Sequence, residues 1–132
     1  MTVRALQEAM WQMEQVELPT EHFSADKMYC RVVYRPADTT IVGKVHKKEH
    51  FYILAQGHIL VTDGNSPAKE YKGFAVIVSQ PGTKRAVYAV EDSICLTVHR
   101  TRKTKLEEIE KELVHDEPGC PFITGNKLRL LK

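Results

Sequence analysis

Residues 43–57 read GKVHKKEHFYILAQG, and the fold follows from how this stretch turns. Lys44 and His46 alternate before Lys47-Lys48-Glu49, and His50, Tyr52 and Leu54 alternate after it, which is the two-residue period of extended chain. The stretch therefore reads as the end of one strand, a tight turn and a second strand that closes on Gly57. On one continuous strand His46 and His50 stand about 13 Å apart, too far to share a ligand. A hairpin through residues 47–49 brings both imidazoles into one pocket.

Working outward, the neighbouring segments repeat the same pattern. MYCRVVY at 28–34 is apolar, aromatic and β-branched, and Pro36 with Asp38 supplies a turn. Thr39 to His46, His50 to Ala55 and His58 to Thr62 read as the next three strands. Asp63-Gly64-Asn65-Ser66-Pro67 is the strongest turn signal in the chain, and it predicts a hairpin between the strands on either side. FAVIVS at 74–79 is apolar on both faces, which predicts a strand between packed layers. Arg85 to Val90 and Ser93 to His99 complete a set of roughly seven or eight strands at intervals near ten residues, the spacing of an all-β sandwich or barrel.

Two helical segments flank this region. Val3, Leu6, Met10 and Met13 make an apolar stripe in an N-terminal helix within residues 1–18, which Pro19 ends. A Leu and Met stripe of this kind reads as a docking face for the domain or for a second subunit. Thr104-Lys105-Leu106-Glu107 matches a capping box that opens a C-terminal helix over 104–115, with Leu106, Ile109 and Leu113 inward and Glu107, Glu108, Glu110, Lys111 and Glu112 solvated. Residues 116–132 read as an irregular tail. The organisation is one domain over 1–132, with a β-barrel at 28–100.

Composition limits the function classes. The 132 residues carry 19 basic and 17 acidic side chains, a formal charge of +2 that gives no general attraction to polyanions. No basic stripe alternates with aromatics, so nucleic acid is not an expected partner. Cys30, Cys95 and Cys120 lack zinc-type spacing and read as reduced thiols of a cytoplasmic protein. No apolar run approaches a membrane span or a secretory leader, so membrane association is not expected either.

Gly43, His46, His50 and Gly57 resemble the first of two cupin motifs, in which a glycine and a His-x-His precede a glutamate seven residues before a closing glycine. Gly73 with Pro81-Gly82-Thr83-Lys84-Arg85 resembles the second, where a Pro-Gly turn precedes a histidine. The resemblance covers about residues 28–100 and extends to short cupin-like proteins encoded by phages and prophages. It implies an RmlC-type double-stranded β-helix, a jelly-roll barrel. The departures from the motif fall at the ligand positions. Lys44 stands at the first histidine, His46 at the second, His50 replaces the glutamate and Arg85 replaces the last histidine.

Lysine and arginine are cations and poor metal ligands, so the usual four-ligand centre is not expected. The leading expectation is a small-molecule-binding protein whose pocket takes an anion, whether phosphate, nucleotide or carboxylate, through Lys44, His46, His50, Tyr52, Lys84 and Arg85. In a second reading His46 and His50 hold a divalent metal, with Glu49 or His99 as third ligand, in an isomerase, epimerase or dioxygenase type of enzyme. Proton transfer without metal would use His46 or His50 as base, Tyr52 or Tyr88 as acid and Glu49 or Asp92 as orienting carboxylate. A further reading is a non-catalytic assembly protein with a degenerate site. A homodimer is expected from the two short amphipathic helices and from cupin habit, and a phage accessory role from the resemblance.

Overall fold

The computed structural model describes residues 2–10, 18–64, 67–115, 122–123 and 127–128. Met13, Asn65, Ser66, Cys120 and most of the 116–132 tail lie outside the described residues.

Two antiparallel sheets form the body. The first holds β1 (Thr20–Ala25), β2 (Met28–Arg35), β9 (Ser93–Arg100), β4 (His50–Gln56) and β7 (Ala75–Ser79), side by side in that order. The second holds β3 (Thr39–Val42), β8 (Ala86–Ala89), β5 (His58–Thr62) and β6 (Lys69–Lys72). A two-stranded ribbon of β10 (Phe122–Ile123) and β11 (Lys127–Leu128) follows. Cross-strand partners share a face, so the register sorts each side chain. Tyr29 pairs with His99, Arg31 with Thr97 and Thr97 with Tyr52, and Val33 with Cys95 and Cys95 with Leu54, which places all of these on the inner face. Tyr52, Leu54 and Cys95 meet Ile59 and Val87 of the second sheet in the central core.

Both helices dock on their own domain. α1 (Val3–Met10) lays Val3, Leu6 and Met10 on Val42 and Ala86. α2 (Leu106–Leu113) packs Leu106, Ile109 and Leu113 on Tyr29 and closes one end of the barrel. Among the described residues no helix is long and apolar enough to cross a membrane.

Several expectations are corrected. β1 was not anticipated, because TEHFSA lacks apolar alternation and the turn into β2 uses Asp26 and Lys27, both at positive φ without a glycine. The segment from Thr39 stops pairing at Val42, and β3 and β4 lie in different sheets, so residues 43–49 cross between sheets rather than close a hairpin. The backbone there is held by the end of α2. Lys47 N–H donates to the Leu113 carbonyl, His115 N–H donates to the Val45 carbonyl, and His46 bridges Val114. The capping box does not form; Lys105 precedes the helix with extended backbone and no side-chain cap. Glu110 is buried against Arg31 rather than solvated. β7 is an edge strand, with Val76 and Val78 53% and 52% exposed, not a strand between layers.

The turn after Thr62 does close a hairpin, but its second strand is β6, which was not anticipated; the expected partner at 74–79 is β7, which pairs with β4 in the other sheet. Gly57 closes β4 at φ +116°, and a Cβ there would stand 2.2 Å from Ser93 Oγ and 2.7 Å from its Cα. Ser93 cannot step aside freely, because its hydroxyl accepts from His58 N–H and donates to the Glu91 carbonyl. Gly57→Ala should therefore cost roughly 2 kcal/mol in a denaturant titration through combined strain and overpacking. An unchanged midpoint would contradict this packing.

Candidate metal and ligand site

The turn between sheets and the last barrel strand bring three imidazoles together. His46 is fixed in the crossover by its bridge to Val114, His50 opens β4, and His99 faces inward from β9. Ring centroids are 4.3 Å apart for His46 and His50, 4.3 Å for His50 and His99, and 5.1 Å for His46 and His99. One ring nitrogen from each lies within 4.8 Å of the other two. His50 and His99 are only 5% and 4% exposed.

The cluster is held neutral. Burial and then the neighbouring imidazoles push His46 down to about 2, with Arg31 and Arg85 adding to the effect. Burial, then His50 and Arg31, push His99 down to about 3. Burial lowers His50, the hydrogen bond to the Lys48 carbonyl opposes it, and Arg85 adds a smaller lowering. That carbonyl accepts from His50 Nδ1–H at 3.1 Å, which leaves the Nε2 lone pair free. His99 Nδ1 is buried with no hydrogen-bond partner among the described residues. Three neutral imidazoles with free lone pairs suit zinc, nickel, copper or iron, and three protein ligands leave coordination positions open.

A hydrogen-bonded chain lies behind the cluster. Arg31 Nη2 donates to Glu110 Oε1 at 2.5 Å, and Arg31 Nε donates to Tyr29 Oη at 3.0 Å. The Tyr29 hydroxyl also hydrogen-bonds His22 Nδ1 at 2.6 Å. Its ring stacks on His99, with centroids 6.2 Å apart. The pair of Arg31 and Glu110 ties the barrel wall to α2 beside the site.

The cavity in front of the cluster has a volume of about 110 Å³. At roughly 10–15 Å³ for each water, this is room for a molecule of on the order of ten heavy atoms. Among the described residues its charged lining is Arg31, Arg35, Lys44 and Arg85 against the single carboxylate of Glu110, so that lining is net positive.

The residues expected from sequence divide clearly. His46, His50, Lys44, Tyr52 and Arg85 all line this cavity, and Arg85 Nη1 donates to Ser79 Oγ at 2.6 Å. Of the two candidates for third ligand, His99 is the one that stands with His46 and His50. Glu49 is exposed, and its carboxylate accepts from Gln80 Nε2. Lys84 is not among the lining residues, and its Nζ donates to the Gly43 carbonyl. Tyr88 is hydrogen-bonded to Asp38 and Asp92 to Ala37 N–H, and neither lines this cavity. Arg31, Arg35 and Glu110 were missed. Arg31 and Arg35 carried a signal, since both fall on the same phase of β2 as Tyr29 and Val33.

No protein-family model matches the chain, and no curated protein matches it. Solved structures do. An uncharacterised conserved protein with a double-stranded β-helix domain from Klebsiella pneumoniae superposes with a TM-score of 0.57 at 14% identity, covering 75% of this chain and 90% of that one. A cupin superfamily protein from Desulfitobacterium hafniense gives 0.55 at 8% identity, covering 71% and 86%. An RmlC-like cupin protein from Desulfovibrio desulfuricans gives 0.53 at 17% identity, covering 65% and 89%. With its antiparallel sheets and two short helices, the chain has the cupin-type double-stranded β-helix fold.

Proposed function

We propose that this chain is a small-molecule-binding cupin-fold protein in which His46, His50 and His99 hold one divalent transition-metal ion and the cationic wall of the barrel receives an anionic organic ligand. The observation that carries the reading is the convergence of three neutral imidazoles, two buried and one half-buried, one with its tautomer set by the Lys48 carbonyl and one with an unpartnered nitrogen. A bound ion of this kind supplies Lewis-acid polarisation of a ligand oxygen. Lys44 and Arg85 place positive charge on the same cavity. A divalent ion beside them is repelled unless an anion is also present, so metal and anion should bind with positive coupling. The phage accessory role belongs to this proposal and rests on the sequence resemblance alone.

Elemental analysis of protein purified without chelator or affinity tag tests the metal. About one equivalent of zinc, nickel, iron or manganese per chain is expected, with a melting temperature that falls on chelation and returns on adding the ion back. Metal-free protein with no thermal response to these ions contradicts the proposal.

We also propose a homodimer, formed through the outer face of the five-stranded sheet. The helices that first suggested self-association already bury their apolar stripes within the domain. The sheet face supports a different contact: Phe51, Ile53, Val76, Val78, Leu96 and Val98 share it, none is charged, and Phe51 is 49% exposed. Five strands at about 4.8 Å spacing and about 20 Å length present on the order of 500 Å² before side-chain relief. That is near the largest patch a monomer shows and approaches the ~800 Å² one partner gives to a stable interface. A second copy offers the same apolar patch, with Glu21 and Arg100 at its margin. Light scattering should give twice the chain mass for the wild type and the single chain mass for a Val76→Lys, Val78→Lys double variant. A monomeric wild type would remove the dimer.

A further inference from the structure

We propose that Arg35 and Tyr52 form a carboxylate-binding subsite on the cavity floor, distinct from the imidazoles, and that the ligand is a small carboxylic acid bound there by its carboxylate. Both residues line the cavity, Arg35 from β2 and Tyr52 from β4. Arg35 Nε and Nη1 and Tyr52 Oη are shut off from solvent and make no well-formed hydrogen bond among the described residues; the guanidinium has only loose contacts with the uncharged Tyr52 and Cys95 side chains. A guanidinium in such a place is costly unless an anion meets it. Arg31, on the same face of the same strand, shows the usual solution in its pairing with Glu110. Among the described residues Glu110 is the one carboxylate lining the cavity, and Arg31 engages it.

The neighbours of Arg35 do not supply a charge. They are Tyr52 and Cys95, and a tyrosine hydroxyl is a donor at neutral pH. The floor thus offers N–H and O–H donors to whatever occupies it, which calls for an anion with two acceptor oxygens. One guanidinium balances one charge, and the surrounding Val33, Val87 and Cys95 are apolar. A carboxylate fits these surroundings at lower desolvation cost than a phosphate dianion. His50 and Tyr52 are successive inward residues of β4, about 7 Å apart along the strand. A ligand of a few carbons therefore spans from the floor to the imidazoles. The inference rests on the reading of this cavity as a ligand site but does not require the metal.

Chelator-treated protein tests it, with sodium propionate as probe and inorganic phosphate at matched ionic strength as contrast. Propionate is expected to raise the melting temperature and to shift one arginine Nε–H resonance. Arg35→Met should melt higher than the wild type without propionate, because an unpaired buried charge is gone, and should lose the propionate response. Tyr52→Phe, which removes one oxygen and keeps the packing, should weaken propionate about tenfold. A propionate response that survives in Arg35→Met, a lower melting temperature for that variant, or a phosphate response as large as that of propionate would overturn the subsite. Metal titration of the same samples separates the two proposals: loss of metal binding with an intact Arg35-dependent propionate response refutes the metal centre alone.

Discussion

Calorimetric titration of His99→Ala with zinc or nickel should show affinity reduced at least hundredfold, to the level of a two-imidazole site. The reason is geometric. His46 and His50 are both near the start of β4, whereas His99 comes from the neighbouring strand β9 and completes the triangle from the opposite side. Removing one ligand of three costs more than removing a supporting partner of a ligand, which itself costs about 10–100-fold. Glu49→Ala is the matched control. Its carboxylate is engaged by Gln80 at the surface, so metal affinity should not change. A titration in which Glu49→Ala loses the metal and His99→Ala keeps it would reverse the assignment of the third ligand.

The second large effect is on stability in acid. In the folded, metal-free protein His46 and His99 are held down to about 2 and about 3, mainly by burial, against 6.5 for the free side chain. The unfolded chain therefore binds more protons than the native one at every pH between those values, and stability falls as pH falls through 6.5. Above about pH 7 both states carry neutral imidazoles and the effect vanishes. At pH 5 each of the two histidines lies about 1.5 pH units below its unfolded value, which amounts to on the order of 2 kcal/mol each. A total near 4 kcal/mol is a large part of the 5–15 kcal/mol that holds a typical domain. Chemical denaturation at pH 7.5 and pH 5 should show this loss. His99→Gln, which keeps polarity without titrating, should remove about half of it. Equal stability at the two pH values would mean that the imidazoles are open to water.

Much of this was legible in the sequence because it depends on local period. Alternation was enough to put His50 and Tyr52 on one face of β4, although the hairpin invoked to bring His46 beside them does not form, and the Asp-Gly turn after Thr62 was enough to mark a chain reversal, though not to show that β6 is its second strand. What alternation does not carry is which sheet a strand joins. Residues 43–49 look like a hairpin turn, yet β3 pairs with β8 and β4 with β7 and β9, partners set by long-range packing. The same limit hid Glu110. On its helix it is one of several acidic residues, and only the approach of Arg31 across the barrel end makes it a buried partner. His99 was visible as a candidate but not as a choice, since its direction depends on the phase of β9 against β2, fixed by the pairing of Tyr29 with His99. FAVIVS misled for a related reason. A strand apolar on both faces is expected between layers, and here one of those faces is left bare, which the proposed second copy would cover.

The central claim is that three imidazoles from a crossover and two strands meet at one ion. Crystals grown with zinc, measured on both sides of the zinc absorption edge, test it most directly. The account predicts one anomalous peak per chain, about 2.1 Å from a ring nitrogen of each of His46, His50 and His99. A peak elsewhere on the chain, or none between these rings at saturating zinc, would contradict it.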